Sequence, residues 1–239
     1  MRADAAARPA LLAGMRDSFG VPSAVLGAGY LGFGALALEH GFSLPLALFC
    51  TATIWALPGQ IVLVELNSLG AAAAAILPAV MLTSARFLPM TMTLMPIVRQ
   101  PHHRRRHLYP VAQLVAMTGW AAAMRRCPAM PPAERLPYFV GFALVNWVVC
   151  LAGTAVGFLA SELLSHLVKV GLVFLNPVYF LLILSGEVRR PLWILALLTG
   201  AVAGPAMHLV TPEWSVLLAG VAGGTAAYAI GRAVRMRRD

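Results

Sequence analysis

Residues 44–66 read LPLALFCTATIWALPGQIVLVEL. The run carries no charge before Glu65 and exceeds the roughly 20 apolar residues that a helix needs to cross a bilayer. Yet W-A-L-P-G-Q, residues 55–60, puts a proline and a glycine in its middle. Pro58 removes a backbone donor and clashes with the turn before it, and Gly59 adds freedom. A helix break at membrane depth is tolerated only where the freed backbone is buried in protein or lines a cavity. The stretch therefore predicts a broken or re-entrant element, and it makes Pro58, Gly59 and Gln60 candidate substrate-binding residues. Half-helix N-termini offer N–H groups and a positive dipole end to a carboxylate, while freed carbonyls accept from an ammonium group. The alternative is a local kink whose Gln60 amide serves neighbouring backbone.

The rest of the 239-residue chain belongs to the same solvent. It is 60% hydrophobic and 11% charged, with a mean hydropathy of +0.79, whereas about a quarter of a soluble domain is charged. Such a chain is predicted to be an all-α, polytopic integral membrane helix bundle, with no room for a second, soluble domain. Apolar stretches run over about 19–38, 44–66, 71–98, 109–124, 137–160, 164–184, 191–210 and 214–231. The net charge of +9 reads as a topology signal rather than as affinity for nucleic acid. Cys50, Cys127 and Cys150 are scattered and odd in number, so no disulfide framework is implied. No cleavable leader is visible ahead of the first apolar run.

Eight single crossings would place Arg99 and Arg104–Arg106 on the face opposite the N-terminus, against the positive-inside rule. The conflict disappears if the second and fourth stretches enter and leave on one side, leaving about six full spans plus two broken or re-entrant segments. The fourth is short and holds Gln113, Thr118 and Gly119. Exchanging the broken role between 44–66 and 71–98 gives the same parity, and the long 71–98 stretch must tilt, emerge or kink at Pro78 or Pro89. In this arrangement 1–18, 99–108, 125–136, 185–190 and 232–239 are cytoplasmic and carry three, four, three, two and four arginines. The outer loops hold Glu39, Glu162 and Glu213 and no Lys or Arg. A cytoplasmic N-terminal segment (1–18), one transmembrane domain (19–231) and a basic tail (232–239) follow, in the bacterial inner membrane with both termini inside. The basic loops anchor to anionic lipid headgroups. Gly153-x-x-x-Gly157, Gly200-x-x-x-Gly204 and Gly220-x-x-x-Gly224 suit close helix packing.

Arg86 lies midway through L-T-S-A-R-F-L-P, where a charge costs about 2.5 kcal/mol or more and needs a partner or a wet cavity. Either it clamps a substrate carboxylate, or it is structural, paired with Glu65 or capping carbonyls. Lys169 can snorkel from a helix end; with Glu65 it is a coupling or pairing candidate. Asn176-Pro177 makes a second polar break, with Asn176 a candidate ligand. His102, His103 and His107 stand among arginines that repel divalent cations, so no metal is expected, and no cofactor. Neither a Walker motif, an HExxH nor a nucleophile elbow is present, and no catalytic residue is assigned.

From Gly14 to about Gly231 the order of features resembles the AzlC/YgaZ family, the large subunit of two-component branched-chain amino acid exporters. L-G-F-G-A-L-A-L-E-H-G-F-S is similar to the family's opening, W-A-L-P-G-Q-I to its F-A-G-A-S-Q-F element, and L-T-S-A-R-F-L-P-M to its N-x-R-H-x-L-Y-G element, which puts Gln60 and Arg86 on the family glutamine and arginine. Ser84, Phe87 and Val173 stand where the family has Asn, His or Tyr, and Asp, and the acidic pair after Thr118 is replaced by Gly119-Trp120. The resemblance implies a proton-driven secondary transporter that exports Leu, Ile, Val or a similar neutral amino acid together with a small AzlD-type membrane subunit. A non-transporting membrane scaffold is the alternative, and an enzyme is a distant third.

Overall fold

The computed structural model describes residues 2–100, 104–186, 191–210 and 215–236. His102, His103, Arg189, Arg190, Glu213, Arg237 and Arg238 lie outside the described residues. Among those described the chain is all-helical, with no strand, and it divides into two compact units, Met1–Asn176 and Pro177–Asp239.

The first unit is framed by helices α1 (Arg2–Ser18), α2 (Val21–Glu39) and α9 (Pro132–Leu159). Both α2 and α9 are long and apolar enough to cross a membrane. They touch backbone to backbone: a Cβ on Gly157 would fall on the Leu31 backbone, one on Gly34 on the Thr154 backbone, and one on Gly153 would come within 2.7 Å of the Gly27 carbonyl oxygen. Lipid tails are as apolar as leucine, so close packing of small residues, rather than hydrophobicity, holds such a pair together. The expectation for Gly153 and Gly157 is met. Residues 2–18, within the N-terminal segment expected to be cytoplasmic, form α1. It lies on α9, with Gly14 against the Tyr138 backbone and Gly141 against that of Leu11.

The second stretch splits into α3 (Leu44–Thr53) and α4 (Leu57–Ser68), and the chain unwinds over Ile54, Trp55 and Ala56. A proline ring clashes with the carbonyl four residues earlier, here that of Ile54. Thus Pro58 breaks the helix one turn upstream and itself sits in the first turn of α4, where no N–H is needed. Trp55 takes a left-handed φ of 43° and buries its indole against the Cys150 thiol. The third stretch obeys the same rule. Helices α5 (Ala73–Ser84) and α6 (Phe87–Val98) meet at a 44° bend at Ala85-Arg86, four residues before Pro89, while Pro78 sits inside α5 without breaking it. The fourth stretch splits into α7 (Arg105–Gln113) and α8 (Met117–Arg126), unwound over 114–116. The second and third stretches are therefore both interrupted. Three candidate crossings result among the described residues, α2, α9 and the bent α5–α6 pair, where six were expected.

Helix α10 (His166–Gly186) contains the unit boundary at Asn176-Pro177. In the second unit α11 (Pro191–Val210) and α12 (Ser215–Met236) pack together. Thr199 Oγ1 donates to the Gly223 carbonyl at 2.9 Å, and a Cβ on Gly223 would lie 3.2 Å from the Gly200 Cα. Gly204, Gly220 and Gly224 border open space. The two small-residue motifs read here thus contribute one glycine, Gly200, whose partner is out of register with the pattern.

Candidate functional site

The N-terminus of α4 is buried, yet its N-cap is Ala56, which has no side-chain acceptor to offer. The N–H groups of Leu57 and Gly59 have no hydrogen-bond partner among the described residues, so the positive end of this half-helix is left open. Gln60, fully buried, starts a directed chain: its Nε2 donates to Thr51 Oγ1 at 3.1 Å, the Thr51 and Thr154 hydroxyls lie 2.9 Å apart, and Thr154 donates to the Cys150 carbonyl at 3.0 Å. Because Thr154 spends its proton on Cys150, Thr51 spends its own on Thr154 and must accept from Gln60. This fixes the amide orientation and leaves Gln60 Oε1 buried without a partner.

Three further elements close on the same end. On α2, a Cβ at Gly29 would strike Asn176 Nδ2 and come within 3.1 Å of Leu57 Cδ2, so the Asn176 amide of α10 lies against α2 and the first residue of α4. It is 4% exposed, and its Nδ2 has no hydrogen-bond partner. At the α5–α6 bend, a Cβ on Gly59 would lie 2.9 Å from Thr83 Oγ1 and 3.5 Å from Ser84 Oγ. Arg86 follows two residues later. Its guanidinium stands 5.4 Å over the Phe87 ring and within electrostatic reach of the buried Tyr30 hydroxyl, and its buried Nε has no hydrogen-bond partner.

Pro58, Gly59, Gln60 and Asn176 thus share one half-helix end, and Arg86 stands at the α5–α6 bend that packs against it. Glu65 does not join them. Five residues on from Gln60 it is turned about 140° around α4; it is exposed and makes no ion pair with Arg86. Lys169 works elsewhere. Buried, it sits 2.5 Å from Glu39 Oε1 and 2.9 Å from Ser161 Oγ, while Ser161 donates to the Ala35 carbonyl at 2.9 Å and His166 lies 3.3 Å from Glu39 Oε2. This cluster ties the start of α10 to the end of α2. The carbonyls freed at the end of α3 are also partly taken, because Trp147 Nε1 donates to Ala52 at 3.3 Å and Gln113 Nε2 donates to Thr53. The second and fourth stretches therefore meet at their breaks. Thr51, Thr154, Tyr30 and Thr83 were not singled out from the sequence, where each is a lone polar group in an apolar run.

Compared with known proteins, residues 23–164 match the family described as AzlC protein. The match runs from α2 to the turn before α10 and covers Pro58, Gly59, Gln60 and Arg86, but neither Lys169 nor Asn176. No curated protein and no solved structure matches the chain. An apolar, all-helical chain whose broken segments and open half-helix end fall inside a family match covering more than half its length belongs to the AzlC family, a family of transport-related membrane proteins.

Proposed function

We propose that the chain is the transporting subunit of a secondary exporter for branched-chain or other neutral apolar amino acids. It works in the bacterial inner membrane, with both termini cytoplasmic, six crossings, a small AzlD-type partner and the proton gradient as driving force. One observation carries the reading: three buried polar atoms without partners sit on residues of α4, α10 and the α5–α6 bend, elements that pack around the start of α4, and they are complementary in kind. Arg86 Nε and Asn176 Nδ2 donate, and Gln60 Oε1 accepts. An unsatisfied buried polar atom costs about 1–3 kcal/mol, and an amino acid zwitterion relieves all three at once. Its carboxylate meets Arg86, Asn176 and the α4 N–H groups, its ammonium meets Gln60 Oε1, and its apolar side chain lies against Leu57 and neighbouring apolar residues. With Glu65 turned away, the site has no carboxylate of α4 to hold a basic side chain, which favours neutral substrates.

The test is flux. Proteoliposomes holding the chain and its small partner, loaded with labelled leucine, valine or methionine, should release label when a proton gradient is imposed, and Gln60→Leu or Asn176→Leu should abolish release. A folded chain that moves none of a panel of amino acids is a scaffold.

A further inference from the structure

The break in the fourth stretch repeats that in the second. Ile54-Trp55-Ala56-Leu57-Pro58-Gly59-Gln60 and Leu114-Val115-Ala116-Met117-Thr118-Gly119-Trp120 fold alike: a turn residue, two non-helical residues ending in an extended alanine N-cap, then a new helix with glycine third. Neither helix has a side-chain cap. They differ in what they present. Pro58 takes one N–H away from α4. In α8, a ten-residue helix, the N–H groups of Met117, Thr118 and Gly119 are all present, and none has a hydrogen-bond partner among the described residues.

A second, independent observation points to a ligand. Thr118 is 4% exposed, and its hydroxyl, in the same first turn, is buried without a hydrogen-bond partner. Gly119 backs onto the rings of Phe139 and Phe142, from which an added Cβ would stand 3.3 and 3.7 Å. Asp17, the carboxylate that α8 engages, pairs with Arg126 at the helix's other end, 3.5 Å away. Three backbone donors, a hydroxyl proton and the positive end of a helix dipole against aromatic walls repel a cation and suit an anion.

We propose that the N-terminus of α8 is a binding site for a small monovalent anion, held by the Thr118 hydroxyl and the N–H groups of Thr118 and Gly119. It lies beyond the transport reading, which assigns the substrate carboxylate to Arg86 and α4. A free halide and an amino acid carboxylate share the chemistry, and titration separates them. The full chain in lipid nanodiscs, in halide-free gluconate buffer of constant ionic strength, is titrated with bromide and separately with leucine, valine and methionine while its melting temperature is followed. Bromide should raise the melting temperature saturably. Thr118→Val should weaken the apparent affinity about tenfold or more, the loss of a hydrogen bond to a charge, and Thr118→Ser should retain it. Thr118→Ala serves the same purpose if the valine variant does not fold. A leucine response lost in Thr118→Val, with bromide inert, identifies the anion as the substrate's own carboxylate. Equal responses in wild type and Thr118→Val, or none to either anion, overturn the site. Gln60→Leu should remove the leucine response alone. A Thr118-dependent bromide response with no response to leucine, valine or methionine counts against the transport reading and leaves the anion site standing.

Discussion

Arg86 is where one atom separates two roles. Its unpartnered group is Nε, part of a planar fork that lysine lacks. Arg86→Lys keeps the charge and loses the fork, so transport should fall about tenfold or more while folded yield stays near that of the wild type. A lysine variant with full flux and unaltered substrate affinity overturns the carboxylate role. The Glu39–Lys169 pair makes a different prediction, because its members are unequally buried: the lysine side chain is 5% exposed and the glutamate 31%. Glu39→Gln strands a buried ammonium, whereas Lys169→Met leaves a carboxylate that water still reaches. Glu39→Gln should therefore cost about 3 kcal/mol and lower the melting temperature more than Lys169→Met does. The double variant should recover most of the loss. Equal losses would show that the pair is not what holds α10 to α2.

Among the elements, the α2–α9 seam is the least forgiving. Gly157→Ala puts a methyl group where the Leu31 backbone already is, and overpacking of this kind costs about 1–3 kcal/mol. Gly204→Ala, facing open space, should be neutral in the same melting assay. What the sequence disclosed follows the range of the force involved. Pro58 and Pro89 act on a carbonyl four residues away, so the first interruption was legible and the second was one of the alternatives left open, though each falls a turn before the proline. The unwinding at 114–116 has no such proline and showed itself in a short apolar run holding Gln113, Thr118 and Gly119 and in the placement of the arginines. The pairing of Glu65 with Arg86, one of the alternatives the sequence left open, is not formed, because which face of α4 meets the α5–α6 bend depends on packing that spacing along the chain does not give. The contact of Gln60 with Thr51, and of Thr51 with Thr154 more than a hundred residues on, depends on which helices become neighbours, and apolar periodicity carries no such information.

For the whole molecule, topology is the claim most open to direct measurement. Cys50, Cys127 and Cys150 are buried, and burial pushes the Cys127 thiol up to about 11, so native thiols should stay silent toward maleimide at neutral pH. Single cysteines at exposed Arg104 and Arg232 should label only from the cytoplasmic face, and one at Leu163 only from outside. Labelling of position 104 from outside overturns the parity on which six crossings rest. The glycine seam also bears on how such a molecule moves. Two helices in backbone contact have no side-chain layer to shear through, so α2 and α9 make a stator, and any alternation of access is left to pieces already cut at 54–56, 85–86 and 114–116. Spin labels across the seam should then hold their separation when substrate is added, and labels spanning a cut should not.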